Sequence, residues 1–250
     1  MATHVAVHAV VQFNYVELDV CSDRVQLCRQ VLAPDERLKA DRFRFDIHRN
    51  RYIVGRYALR QILADRVRAN PVDLSFECGE YGKPRLHSRW PHVEFNLAHS
   101  EGQAVIVTTD RPAVGVDVEV LRVIDDCRSL ARQVFSEPEL AELDRADDSS
   151  RAFLNGWTRK EAYVKAIGMG LSAPVREITV SLSSRAALLS TAVPGDRASN
   201  WTLIDLQHPS CVVALAIPAH HVDLRWCGWY AVPQVSSPHS DAGTAESANS

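Results

Sequence analysis

Asp117 and Glu119 stand two residues apart in the run Gly115-Val116-Asp117-Val118-Glu119. In an extended strand this spacing puts both carboxylates on one face and turns Val116 and Val118 to the other, toward a core. Carboxylates held that close repel unless a cation or a shared proton intervenes. Hard oxygen donors of this kind suit Mg²⁺, which keeps several waters and is held by one or two carboxylates plus substrate phosphates. Two acids projecting into water at a sheet edge fit the same pattern, and on this stretch alone the readings stand level. Farther on, Trp157, Glu161 and Lys165 fall at i, i+4 and i+8, along one face of a helix. By spacing alone, Glu161 and Lys165 read as a surface ion pair worth about 0.3–0.5 kcal/mol. Gly168-Met169-Gly170-Leu171-Ser172 follows directly and lets the chain turn tightly, with backbone N–H groups close to a ligand. A phosphate and metal site is therefore the second reading of that surface.

These side chains need a strand and a helix to hold them. Residues 113–118 read as the strand, and the helix runs over about 150–167 until Gly168 and Gly170 stop it. Upstream, residues 4–13 read as a strand, and Pro34-Asp35-Glu36 opens a helical stretch. Ile53, Tyr57, Ile62, Leu63 and Val67 form an apolar stripe at helical spacing. Residues 79–84 are rich in turn formers, and 93–97 and 103–109 read as strands joined by the turn His99-Ser100-Glu101-Gly102. A helix is expected over 125–134, and Ser136 with Glu139 three positions on makes a capping box for a short one. Strands are expected over 176–182, 201–206 and 211–217. The order describes an α+β protein of two similar halves, 1–110 and 111–232, although residue identity between them is too low to show a repeat. From Pro233 little remains to bury, so 233–250 reads as a disordered tail.

The chain has 250 residues, 46% hydrophobic and 24% charged, enough for a substantial core. Its formal net charge of -3 argues against a general nucleic-acid binder. The lysines are only Lys39, Lys83, Lys160 and Lys165. Arg37, Lys39, Arg42, Arg44, Arg49, Arg51, Arg56 and Arg60 crowd one stretch, which reads either as the solvated face of an amphipathic helix or as a local anion site. None of the 6 cysteines makes a CxxC, so reduced thiols are expected. The opening residues do not form a signal peptide, and no run of about twenty apolar residues exists to cross a bilayer. A cytoplasmic protein is expected.

Taken in chain order, a set of motifs resembles the 4'-phosphopantetheinyl transferases, specifically the long single-chain type that modifies synthase carrier proteins. The pieces are Gly82-Lys83-Pro84, Phe95-Asn96-Leu97-Ala98-His99-Ser100, the Gly115–Glu119 run, and Phe135-Ser136-Glu137-Pro138-Glu139. Trp157-Thr158-Arg159-Lys160-Glu161-Ala162-Tyr163-Val164-Lys165 and the Gly168–Ser172 run complete them. Each piece is weak alone, and the ordered set over about residues 30–180 is specific. The resemblance implies two α+β halves related by a pseudo-twofold, a cofactor and metal cleft between them, and a monomer.

It also implies a reaction: transfer of the phosphopantetheine arm of coenzyme A to a serine of an acyl, peptidyl or aryl carrier, with release of 3',5'-ADP. The partners implied are carriers of fatty-acid, polyketide or nonribosomal peptide synthases, which makes secondary metabolite biosynthesis an expected setting, with neither nucleic acid nor membrane involved. By matching motif positions, Asp117, Glu119 and Glu161 resemble the Mg²⁺ ligands, and Lys165 resembles the lysine at the cofactor phosphate. Glu161 is the candidate general base, and with Asp117 and Lys165 makes up the catalytic set. His99 matches the histidine beside the 3'-phosphate, Lys83 another coenzyme A contact, and Lys39 and Arg51, more loosely, further ones. Arg42 and Arg56 are fainter matches. Glu139 matches a recurrent acid that its capping box also explains. Two departures are Ala98, where relatives commonly carry serine, and Tyr52, where they often carry a small hydroxyl residue. Two other readings remain: a metal-dependent phosphohydrolase, and a coenzyme A- or carrier-binding protein without catalysis.

Overall fold

The computed structural model describes residues 6–79 and 81–232. In the first half a long strand, β1 (Ala6–Glu17), precedes three helices, α1 (Ser22–Val31), α2 (Pro34–Asp41) and α3 (Asp46–Val67). A small hairpin, β2 (Phe76–Cys78) and β3 (Pro84–Leu86), and two longer strands, β4 (Glu94–Ser100) and β5 (Gln103–Thr109), follow. The second half repeats the plan with β6 (Gly115–Val120), α4 (Cys127–Val134), α5 (Glu137–Leu143) and α6 (Ser149–Ile167). It continues through the hairpin β7 (Thr179–Val180) and β8 (Leu188–Ser190), then β9 (Thr202–Asp205), β10 (Cys211–Ile217) and β11 (Ala219–Tyr230).

The repeat is plain in the sheet order. One sheet runs β11-β1-β5-β4 and the other β6-β10-β9. In each, the half's opening strand pairs antiparallel with its counterpart late in the half, β1 with β5 and β6 with β10. Three apolar layers result. Val16, Leu18, Ile53, Leu59 and Leu63 pack α3 onto the first sheet. Tyr163, Val164, Val212 and Ala214 pack α6 onto the second. Val11, Val105 and Val107 meet Val116, Val118, Val213 and Leu215 where the sheets face each other. The molecule is thus helices, sheet, sheet, helices. Alternation along each strand supplies both layers, because successive side chains leave opposite faces.

Several expectations need correction. The first strand extends to Glu17, beyond the expected end at 13, and its first two expected residues lie outside the described ones. Of the expected strand over 176–182, only Thr179–Val180 is extended, because a 3-10 turn at Val175–Glu177 occupies its start. Helix α1 and strand β11 fall outside the elements expected from the sequence. Strand β11 pairs parallel with β1, so a strand from beyond the expected boundary at 110/111 joins the first half's sheet. The run Val222-Asp223-Leu224-Arg225-Trp226 alternates as a strand should, and a bulge at Gly228 (φ 93°) breaks the pattern only beyond it. The expected tail over 233–250 lies outside the described residues. Among those described, no helix is long and apolar enough to cross a membrane.

Candidate active site at the seam between the halves

Gly115 opens β6 against α6. A Cβ there would lie 2.1 Å from the Ala162 carbonyl oxygen and 2.4 Å from the Ala166 nitrogen, so only hydrogen lets helix and strand touch backbone to backbone. Two residues later, Asp117 is 6% exposed and faces α6, whereas Val116 and Val118 fill the layer between the sheets. The alternation read from sequence holds. Helix α6 ends at Gly168, whose φ of 75° suits a residue without Cβ.

Lys165, in the last turn of α6, donates from Nζ to Asp117 Oδ1 at 2.6 Å. The helical Glu161–Lys165 pair that spacing suggested is therefore replaced by a pair across two elements. Asp117 Oδ2 is buried and has no hydrogen-bond partner, an unusual state for a buried polar atom. Burial pushes the Asp117 carboxyl up to about 7, with Lys165 opposing the rise and Glu161 and Glu119 adding to it by repulsion. Glu161 is also raised, chiefly by burial and further by Glu119, against the pull of Lys165. The three acids feel one another across the β6–α6 face. Asp117 turns to Lys165 and Glu119 to Ser100 and Arg122, and among the described residues no three acid, histidine or cysteine side chains form a closed ligand group. Glu119 accepts from Ser100 Oγ at 2.9 Å and from Arg122 Nη1 at 3.0 Å, both on Oε2.

The remaining candidates lie on the first half or at the seam. His99, at the end of β4, is held below the usual histidine range by the surrounding protein and by the charges of Lys165, Arg51 and His48. Arg51 grips Asp19 with two hydrogen bonds of 2.7 Å. Lys39 lies 5.4 Å from the centre of the Tyr52 ring, which itself leans on Phe43. Lys83 points into the seam, donating to Val114 O at 2.9 Å and Ala166 O at 3.3 Å. Burial lowers its ammonium to about 8. A cavity of about 770 Å³ opens beside it, lined by Tyr81, Lys83 and Arg85 from one half and Gly168 and Met169 from the other. Arg56 is taken up by Glu36 and the Phe76 ring. Ala98 is buried in the layer between the sheets.

Glu139 has a structural place. It accepts from Ser136 N at 2.7 Å and Val180 N at 2.8 Å, and pairs with the fully buried Lys160 at 2.7 Å. Lys160 also donates to the carbonyls of Val134, Val175 and Ile178. The first half carries the same device in Glu36 and Arg60, where Arg60 reaches the carbonyls of Pro71 and Leu74. Reasoning from sequence misses Ser100 and Arg122 as site residues, and Asn96 as a clamp of the seam away from the acids. Asn96 accepts from Val116 N at 2.9 Å, and Ser100 Oγ accepts from Val120 N at 3.3 Å. The place of Asn96 and Ser100 on one face of β4, at polar positions of the Phe95–Ser100 motif, is the signal that could have found them.

The division into halves recurs in comparisons with known proteins. Residues 113–216 match the family model of the 4'-phosphopantetheinyl transferase superfamily. Residues 19–111 match that described as 4'-phosphopantetheinyl transferase, N-terminal. The 4'-phosphopantetheinyl transferase HetI of Nostoc sp. is 34% identical over 208 residues, 81% of this chain and 85% of its own. The 4'-phosphopantetheinyl transferase Sfp of Bacillus subtilis is 28% identical over 170 residues, 67% of this chain and 74% of its own. AcpT of Salmonella typhimurium, also named a 4'-phosphopantetheinyl transferase, is 45% identical over 92 residues, 36% and 47% of the two chains. With both halves matched in order and a relative of this similarity aligned over most of its length, the chain belongs to the 4'-phosphopantetheinyl transferase superfamily.

Proposed function

We propose that this protein transfers the 4'-phosphopantetheine arm of coenzyme A to a serine of an acyl or peptidyl carrier protein, using the face between β6 and α6. Family membership carries the reaction. The observation that supports the location is the buried Asp117, with one oxygen on Lys165 and the other without a partner, beside two further acids that raise its affinity for positive charge. A buried unpaired carboxylate oxygen is costly, and a cation beside it removes the cost. Asp117, Glu119 and Glu161 would hold Mg²⁺, which suits such hard oxygens. When bound, the ion neutralises the pyrophosphate of coenzyme A and polarises the phosphorus under attack.

In the transfer, the carrier serine Oγ bonds to the phosphorus that bears the pantetheine arm. The bond from that phosphorus to the bridging oxygen breaks, and the electron pair leaves with 3',5'-ADP. The serine proton needs an acceptor, and Glu161, only partly buried on the same face as Asp117, is the base we assign. Lys165 spends one of three donors on Asp117, and the other two are free to meet charge gathering on the leaving phosphate. His99, Arg51 and Lys39 would hold the nucleotide end, and remote binding energy of this kind orients the reacting bond. Lys83 supports the reading differently, since its ammonium ties the halves together where the cavity opens. An acidic carrier would meet basic and apolar side chains beside this face, where Val123, in the loop after β6, is 82% exposed.

Incubation of apo-carrier domains of fatty-acid, polyketide and nonribosomal peptide type with coenzyme A and Mg²⁺, scored by intact mass, tests the reaction and the partner together. We expect at least one carrier to gain the phosphopantetheine mass, and gain to cease after chelation. Asp117→Ala should fold and lose transfer by at least about a hundredfold, the scale of removing a charge-stabilising group. Wild-type labelling by that variant, or undiminished labelling without divalent metal, would sink the site assignment. Release of 4'-phosphopantetheine into solution without any acceptor would favour the hydrolase instead.

A further inference from the structure

Strands β4 and β6 lie side by side where the halves meet, but no backbone ladder joins them: their partners lie in separate sheets. Side chains do the joining. Asn96 Oδ1 accepts from Val116 N at one end, and Ser100 Oγ accepts from Val120 N at the other. The two ends of this seam differ in one respect. At the Asn96 end the contact stops at the backbone. At the Ser100 end the hydroxyl continues to Glu119 Oε2 at 2.9 Å. The direction of that bond is forced, because Val120 N can only donate and an ionised carboxylate can only accept. Arg122 Nη1 donates to the same oxygen at 3.0 Å, so Oε2 is held by two donors.

Ser100 itself sits on a fixed platform. It precedes the tight β4–β5 turn, where Glu101 has φ 50°. The Gly102 carbonyl there accepts from Leu18 N at 2.8 Å. The Asp19–Arg51 pair lies so close to Gly102 that a Cβ would stand 2.4 Å from Asp19 Oδ2. The first half therefore grips the turn, and the turn presents a hydroxyl to an acid of the second half.

We propose that Ser100 is a positioning residue for Glu119, orienting its carboxylate across the seam so that Oε1 remains for the divalent cation. This inference rests on the metal role assigned above to Asp117, Glu119 and Glu161. Partners that orient a metal-ligating carboxylate are worth about 10–100-fold in metal affinity.

The test is a titration of Mn²⁺ into protein carrying one equivalent of coenzyme A, with free Mn²⁺ read by electron paramagnetic resonance. Ser100→Ala should weaken Mn²⁺ at least about tenfold, while Ser100→Thr, which keeps the hydroxyl, stays near wild type. Asn96→Ala cuts the same seam away from Glu119, and should lower the melting temperature while leaving Mn²⁺ affinity unchanged. In the transfer reaction Ser100→Ala should need more Mn²⁺ for half-maximal rate and recover kcat when Mn²⁺ saturates. If Ser100→Ala fails to fold, Ser100→Val against Ser100→Thr makes the comparison at matched shape. Wild-type Mn²⁺ affinity in the variant lacking the hydroxyl overturns the proposal, as does equal weakening by Asn96→Ala. A wild-type protein that binds no Mn²⁺ overturns the metal reading itself, and this inference with it.

Discussion

Lys83 shows how one side chain can serve packing and electrostatics at once. Its ammonium bridges Val114 O and Ala166 O, so it connects the entry of β6 with the end of α6. Burial lowers its pKa to about 8, whereas the unfolded chain leaves it at the ordinary value near 10.5. Between those values the unfolded state binds more protons than the folded one, so this residue's contribution to stability rises with pH over that window and is flat below it. The other groups that titrate at alkaline pH are common to wild type and Lys83→Met, so the difference between them isolates this lysine. We expect wild type to gain on Lys83→Met in chemical denaturation as pH is raised from 8 to 10.5. A stability difference constant over that range would show that the amine is freely solvated.

Helix α6 carries Glu161 and Lys165, and its register is set from its buried side. Lys160, next to Glu161 but pointing inward, pairs with Glu139 and binds the carbonyls of Val134, Val175 and Ile178 without any contact with water. A buried pair is weak evidence of net stabilisation, yet removing one partner strands the other charge. Lys160→Met should therefore lose about 3–5 kcal/mol in urea unfolding, and adding Glu139→Gln should restore part of the loss by removing the stranded charge. A single variant that unfolds at the wild-type midpoint would rule out this role. The matching Glu36–Arg60 pair holds α3 in the first half in the same way, with arginine in place of lysine. The duplication is thus preserved in buried polar chemistry, where the apolar sequence has drifted too far to show it. The three acids belong to the second half alone, and the first half contributes Ser100, His99 and Arg51 from the facing side.

Taken whole, the two halves are one folding unit. Val11, Val105 and Val107 are covered by Val116, Val118, Val213 and Leu215 of the other sheet. Strand β11 returns to pair with β1 along nearly its full length, so the first sheet is incomplete without it. Burial of apolar surface contributes about 25 cal/mol per Å², and separated halves forfeit it over the entire inter-sheet layer. We expect residues 1–111 and 112–232, produced separately, to lack cooperative thermal unfolding, and to recover it with transfer activity when co-expressed. Independent cooperative melting of either piece would contradict the shared layer.

Much of the site is legible along the chain itself. Alternation places Asp117 and Glu119 on the face opposite Val116 and Val118, since a period of two leaves a strand no other choice. The capping box at Ser136 and Glu139 and the glycine stop of α6 are likewise local, and the observed elements begin and end there. What spacing misses is long-range. Lys165 chooses Asp117 over Glu161, a decision made by the closeness of β6 and α6 that Gly115 permits. Ser100 gains its partners, and β11 its sheet, from strands distant in the chain. Residue type and period act within one element and can be read along it. Which elements meet depends on the burial of whole faces, and only the folded chain settles those contacts.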